Sequence, residues 1–451
     1  MTIAGARDQS GSVAASPMIT STNKTPRSGI STAQRMKAII AGSAGNLIEW
    51  YDFYVYAFTA LYFSSAFFPQ SDPLVQVMAT SGIFAVGFIV RPIGGWFFGR
   101  FADKYGRQKG MVVSVMAMGA GSLLIAVLPT YAQVGTLAPA LLLLGRMIQG
   151  FSTGGQYGTA ATYLSEIAGP KNRSFFASFQ YVTLVGGQLC ATGMVLLLQH
   201  LLSEGAMKAY GWRIGFAVGA LGAILILLFR HTMRETSSVE ARHKDAGSMK
   251  ELFKHIPAFF CVLGLTAGGS LSFYTFTTYM QKYLVLTVGM DKGLATSIMS
   301  AVLIPFMLVQ PLFGTLADRI GRRNNLILFG LFSTLFTMPL LTVLATVSSP
   351  TAAFGLVLVG LLISAFYTSI SGLFKAELFP VHVRALGVGL SYGVSNAIFG
   401  GTAENVALAF KSAGNESYFY WYVTVVCAVS LVTALVMKDT RKFNTLADAE
   451  V

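Results

Sequence analysis

The sequence predicts an all-α integral membrane protein of twelve transmembrane helices, arranged as two pseudo-symmetric six-helix bundles. Three observations carry this. Of the 451 residues, 54% are hydrophobic and 11% are charged, whereas a soluble domain carries about 25% charged residues. The chain resolves into twelve apolar runs, each close to the about 20 residues that a spanning helix needs. The two halves also repeat short charged motifs at nearly fixed offsets. So few charges cannot cover so much apolar surface in water. That excludes soluble enzymes, disordered chains and disulfide-rich secreted domains. Alternation over ten-residue segments is absent, which excludes a β-barrel.

In chain order, residues 1–34 are rich in Ser, Thr, Ala and Gly and lack the apolar core of a signal peptide. They read as a disordered cytoplasmic tail. The apolar runs fall at 37–66, 75–99, 109–129, 138–164, 174–202, 212–230, 256–283, 293–316, 325–346, 352–376, 385–410 and 418–437. This divides the chain into an N-terminal bundle (35–230), a cytoplasmic inter-bundle loop (231–255), a C-terminal bundle (256–438) and a cytoplasmic tail (439–451). With the N-terminus inside, the outer loops hold only Lys208, Arg213, Lys282, Lys292 and Lys411, and Arg91 and Arg146 lie within spans. The remaining Lys and Arg are on the inner side. Both termini are therefore expected in the cytoplasm. The net charge of +13 is then a topology signal, and no nucleic-acid partner is expected. Cys190, Cys261 and Cys427 all sit in apolar runs and give no disulfide framework.

The repeat is specific. Gly99-x3-Asp103-x2-Gly106-Arg107 follows the second run, and Gly314-x3-Asp318-x2-Gly321-Arg322 follows the eighth, shifted by 215 positions. Glu166 with Arg173 and Glu377 with Arg384 follow the fourth and tenth runs, shifted by 211. Glycine permits a tight loop and close helix approach. An Asp at a helix end can pair with Arg on a neighbouring helix. Asp103, Arg107, Glu166, Arg173, Asp318, Arg322, Glu377 and Arg384 are thus expected to form a cytoplasmic gate, the plainer reading being static salt bridges.

Charged groups at membrane depth are costly and usually functional. Gly42, Gly45, Glu49, Asp52 and Tyr56 share one helical face of the first run. Glu49 lies roughly 18 Å in from Lys37 at about 1.5 Å per residue. Two carboxylates one turn apart in a low-dielectric medium do not both ionise readily, as a proton carrier requires. The competing reading is an ion pair with Arg91 or Arg146. Arg suits bidentate carboxylate recognition, so these two point to an anionic substrate. Arg146, Gln149, Thr153, Gln156 and Tyr163 form a polar stripe that suits a cavity wall. The C-terminal half offers aromatics and amides rather than buried cations, among them Tyr274, Tyr367 and Asn396. Each reads equally as packing or interhelical hydrogen bonding. No phosphate-binding loop or metal-ligand cluster is present in the sequence, so no cofactor or metal is expected beyond protons as the coupling ion.

The blocks Gly45-Asn-Leu-Ile-Glu-Trp-Tyr-Asp-Phe53, Arg91-Pro-Ile-Gly-Gly-Trp96, Arg146-x-x-Gln149-Gly150 and Trp212-Arg213 resemble the metabolite:proton symporters of the major facilitator superfamily, whose parallel duplicated halves match the repeat. Residues 177–183, 272–283 and 383–392 resemble more narrowly the branch that carries α-ketoglutarate. The resemblance runs over roughly 34–437. It implies uptake of a dicarboxylate with protons across the bacterial inner membrane by alternating access. One departure stands out: Gly154-Gly-Gln156-Tyr157 has an amide where relatives have Glu. The motif's last cation is also displaced, with Gln108 after Arg107 and Lys109 next.

The expectation is therefore a proton-coupled importer of a small organic anion, α-ketoglutarate first among them, with no enzymatic activity and no obligate protein partner. Glu49 and Asp52 carry the proton. Arg91, Arg146, Gln156, Tyr157, Tyr274, Tyr367 and Asn396 bind substrate. The alternatives are a symporter for citrate, shikimate, betaine or proline, or a transporter-like sensor.

Overall fold

The computed structural model describes residues 32–69, 73–168, 172–230 and 246–440. The expected tail 1–34 lies almost wholly outside the described residues, as do most of the 231–255 loop and of the 439–451 tail. Every regular element among the described residues is helical. We number twelve membrane helices. The N-terminal six are α1 (Thr32–Phe67), α2 (Pro73–Tyr105), α3 (Arg107–Val127), α4 (Leu137–Ile167), α5 (Arg173–Leu201) and α6 (Trp212–Arg230). The C-terminal six are α7 (Ile256–Leu286), α8 (Lys292–Ile320), α9 (Arg322–Leu344), α10 (Pro350–Leu378), α11 (Arg384–Ser395, continued by Ala403–Ser412) and α12 (Glu416–Val436). A short helix, Met249–Phe253, lies within the inter-bundle segment read as a loop.

The packing repeats with a period of six helices. Within the first half α2 packs on α4, α3 on α4 and α6, and α1 on α5 and α6; α8, α9 and α7 repeat these pairings with α10, α12 and α11. The halves meet through α2–α11, α4–α11 and α5–α8. Large apolar side chains such as Ile89, Val127, Leu228, Leu308, Leu312 and Val436 point outward, where only lipid makes such exposure favourable.

Among the described residues nine helices are long and apolar enough to cross a membrane. The three that fall short are α1, α4 and α11. They carry Glu49, Asp52, Arg146, Gln149, Gln156 and Asn396, all buried. The helices poorest in hydropathy are thus those that bring polar groups inside.

The motif glycines correct the sequence reading. The Gly-x3-Asp-x2-Gly segments are not loops: α2 runs on to Tyr105 and α8 to Ile320. Only Gly106 and Gly321, with φ of 111° and 97°, leave the helix, in a region that an L side chain rarely enters. Gly99 and Gly314 serve close approach instead. A Cβ on Gly99 would lie 2.6 Å from Leu386 Cα, and one on Gly314 would lie 2.6 Å from the Ser174 carbonyl oxygen.

Helices α7 and α11 each contain a π-helical turn, Thr275–Tyr279 and Asn396–Gly400. Such turns widen a helix locally and recur at functional sites. The two meet: a Cβ on Gly400 would lie 2.4 Å from Asn396 Oδ1 and 2.8 Å from the Tyr274 ring.

Candidate substrate and gating site

At the end of the molecule where α2 and α8 terminate, the halves are shut. Asp103 accepts from the backbone N–H groups of Ala385 (3.0 Å) and Leu386 (2.8 Å). Asp318 accepts from Ser174 (2.9 Å) and Phe175 (3.1 Å). Residues 174 and 175 become 385 and 386 on the same shift of 211 that relates the Glu/Arg pairs. Each motif carboxylate therefore meets the first helical turn of the opposite half, where free N–H groups and the helix dipole favour negative charge.

Around these caps the arginines close the ring. Arg107 pairs with Asp103 at 2.6 Å and Glu166 at 3.2 Å, and donates to the Val381 carbonyl at 2.7 Å. Arg384 reaches across to Glu166 at 2.8 Å. On the other side Arg322 pairs with Asp318 at 3.3 Å and Glu377 at 3.6 Å, and Arg173 is buried beside them. All eight residues expected at the gate thus assemble in two related clusters.

Deeper in, Tyr157 of α4 stacks on Tyr392 of α11. Beside this stack lies a residue that the sequence reading missed. Lys375 of α10 is fully buried, so the statement that the C-terminal half lacks buried cations is corrected. Its ammonium donates to Ser371 Oγ (2.7 Å), Tyr157 Oη (2.8 Å) and Tyr367 Oη (3.1 Å). The expected run 352–376 includes its position, but the charge count named only Arg91 and Arg146 within spans and placed Lys375 among the inner-side cations. A usable signal existed: the stripe Ser364, Tyr367, Ser371, extended by one more turn, reaches Lys375.

On the other bundle, Arg91 is fully buried, and its guanidinium has no hydrogen bond among the described residues. It sits over Phe88 (4.0 Å), Phe53 (4.6 Å) and Trp50 (5.5 Å). Arg146, also buried, sits over Tyr56 (4.3 Å), Phe84 (4.9 Å) and Phe53 (5.4 Å). Cation–π contact supplies part of what water would. Neither Arg forms a salt bridge among the described residues.

Asp52 is tied to Arg146 indirectly. Ser122 donates to Asp52 Oδ2 at 2.6 Å, Gln149 Nε2 donates to Ser122 at 2.9 Å, and Arg146 donates to Gln149 Oε1 at 2.7 Å. Asp52 thus turns toward α3 and α6, into space that Gly219 leaves open: a Cβ there would lie 1.6 Å from Oδ1. Glu49 is buried one turn earlier on α1.

A cavity of about 120 Å³ lies between the halves, bounded by Tyr56, Phe84, Phe88, Tyr274 and the Lys282–Glu404 ion pair. It lies toward the end opposite the motifs. Tyr274 is in its wall, and Asn396 lies close behind Gly400. Arg91 and Arg146 do not line it. They sit one layer back, behind the same rings that face it. The rest of the Arg146 stripe does not line this cavity either; Gln156 Oε1 accepts from Ser114 of α3 at 2.6 Å. The neighbouring Tyr157 faces the partner bundle instead.

Two parallel six-helix bundles, shut at one end by mirrored carboxylate caps and holding buried cations between them, define a membrane transporter of the major facilitator fold. The chain belongs to the sugar (and other) transporter family, whose model matches residues 37–245 and 237–450. It is 56% identical over 91% of its length to the alpha-ketoglutarate permease of Escherichia coli, covering 95% of that protein. It is 32% identical to the citrate-proton symporter of Salmonella typhi, covering 92% of this chain and 96% of the other. Among solved structures, the proton:xylose symporter XylE matches with a TM-score of 0.76 at 15% identity, over 92% of this chain and 98% of that one.

Proposed function

We propose that this protein imports a small dicarboxylate, α-ketoglutarate first among candidates, together with protons across the bacterial inner membrane. One observation carries the anion reading. Arg91, Arg146 and Lys375 are all fully buried, and none makes a salt bridge among the described residues. A buried charge is costly unless an opposite charge meets it, so the site is built to receive an anion. The similarity to the alpha-ketoglutarate permease supports the particular substrate.

The aromatic wall also bears on the betaine alternative. Rings can hold quaternary ammonium groups, but Tyr56, Phe84 and Phe88 already carry guanidinium groups at their faces. A ring polarised by one cation is a poorer partner for a second. The arrangement favours an anion.

In this reading both termini and the motif end are cytoplasmic, and the closed motif end makes this the outward-facing state. Substrate enters from the cavity side, and Arg91 and Arg146 engage its carboxylates as the rings shift. Glu49 and Asp52 carry the proton, with Asp52 linked to Arg146 through Ser122 and Gln149. The Asp103 and Asp318 caps then open as the cavity closes.

The test is uptake of labelled α-ketoglutarate into proteoliposomes under an imposed pH gradient, with citrate, succinate, shikimate and betaine as competitors. Competition by betaine alone would overturn the anion reading. Arg91→Ala with normal affinity would remove that residue from carboxylate binding. Full gradient-driven accumulation in both Glu49→Gln and Asp52→Asn would end their coupling role. Retained binding without accumulation in the wild type would identify a sensor.

A further inference from the structure

Lys375 counts toward the anion reading through its burial, but the steps above give it no role. Its ammonium has three N–H donors, and all three are taken by neutral oxygens: Ser371 at 2.7 Å, Tyr157 at 2.8 Å and Tyr367 at 3.1 Å. The rings of Tyr392 and Tyr157 pack on it at 4.7 and 4.8 Å. Hydroxyl dipoles and ring faces compensate a buried charge only in part. No acidic side chain forms a salt bridge with it among the described residues.

Its position is as informative as its surroundings. Lys375, Tyr367 and Ser371 belong to the C-terminal bundle and Tyr157 to the N-terminal one. The Lys375–Tyr157 bond therefore crosses between bundles. Arg91 belongs to the N-terminal bundle and packs beside the residue that follows Tyr392: a Cβ on Gly393 would lie 3.3 Å from the Arg91 carbonyl carbon. One buried cation from each bundle thus comes from a helix that packs at the seam where Tyr157 meets Tyr392.

We infer that Lys375 is the carboxylate ligand of the C-terminal bundle, so that a dicarboxylate bridges the two bundles with one end on the Arg91 and Arg146 side and the other on Lys375. This rests on the dicarboxylate reading above. The charge, the donors and the inter-bundle placement all fit a carboxylate better than a neutral group. Because every N–H of Lys375 is occupied, the incoming carboxylate displaces a hydroxyl. When Tyr157 is displaced, a bond holding the bundles together at the closed end is exchanged for a bond to substrate. Lys375 thereby sets the preference for two carboxylates over one and links occupancy to release of the closed end.

The experiment compares wild-type protein with Lys375→Gln in liposomes, by counterflow of labelled α-ketoglutarate. Unlabelled α-ketoglutarate and the monocarboxylate 2-oxobutyrate serve as competitors. The half-inhibiting concentration of α-ketoglutarate rises at least tenfold in the variant, while that of 2-oxobutyrate stays within about twofold. An unchanged ratio of the two overturns the proposal. If Lys375→Gln is not recovered folded, Lys375→Arg replaces it. A forked guanidinium cannot keep all three oxygen contacts, so the ratio changes at least threefold, and an unchanged ratio again overturns the proposal. A wild-type protein that carries no dicarboxylate overturns the substrate reading itself. Wild-type preference retained in the variants removes Lys375 alone.

Discussion

The ring of Tyr157 lies flat on that of Tyr392, with centroids 3.4 Å apart and planes 10° apart. One belongs to α4 and the other to α11, so the contact exists only while the bundles are shut. A stacked aromatic pair contributes about 1 kcal/mol beyond its buried area, roughly a fivefold change in an equilibrium constant. Tyr392→Leu is expected to shift the population toward the state open at the motif end by roughly that factor. Spin labels at the exposed positions Tyr105 and Arg319, one per bundle, report it as a longer distance component. An unchanged distance distribution would show that the stack is incidental.

The two motif carboxylates differ in burial. The Asp103 side chain is wholly buried, whereas that of Asp318 is about a tenth exposed. Hydrogen bonds to a buried charge are worth about 1.5–3 kcal/mol, and exposed ones less. Asp103→Asn is therefore expected to open the motif end by roughly ten- to a hundredfold, and Asp318→Asn by only a few-fold. The same spin-label pair ranks them. Equal effects would mean that burial does not set the strength of the caps.

Two glycine substitutions separate folding from closure. A Cβ on Gly154 would lie 2.0 Å from the Arg91 carbonyl oxygen, inside the N-terminal bundle. A Cβ on Gly95 would lie 2.5 Å from the Gly389 carbonyl oxygen, across the boundary. Gly154→Ala is expected to abolish monodisperse protein, because backbone cannot give way as a flexible side chain can. Gly95→Ala is expected to fold but to be unable to shut the motif end. Size-exclusion profiles and the spin-label distances read the two effects separately.

Gly219→Ala addresses Asp52. The methyl group would lie 1.6 Å from Oδ1, so the carboxylate must leave its place beside Ser122. Uptake driven by a pH gradient is expected to fall at least tenfold, while equilibrium binding of substrate stays within about threefold. Loss of binding to the same extent as uptake would argue against a role for Asp52 in coupling.

Much of the architecture was legible because it follows from periodicity. Apolar runs of spanning length and two fixed offsets placed the helices and both gate clusters. Directions within helices were less legible. Glu49 and Asp52, three residues apart, differ by about 60° around the helix. That is close enough to share a face and far enough for Asp52 to turn to α3 and α6. Gln156 and Tyr157, adjacent in sequence, diverge by about 100°: one meets Ser114 of α3 and the other the partner bundle. Lys375 escaped because its charge, near the end of the run 352–376, was counted with the inner-side cations, although the helix carries it inward. The glycines of the motif were read as a turn because composition alone does not separate a positive φ from close packing.

The caps on Ala385, Leu386, Ser174 and Phe175 have a further consequence. Their donors are main-chain groups, so side-chain identity at those four positions does not determine whether the bonds form. Only proline removes such a donor. The interface is therefore specified from one side. The aspartates are irreplaceable in chemistry, whereas the helix ends that they face are limited by packing, since Ser174, Ala385 and Leu386 are fully buried, and by the bar on proline, but need no particular polar side chain.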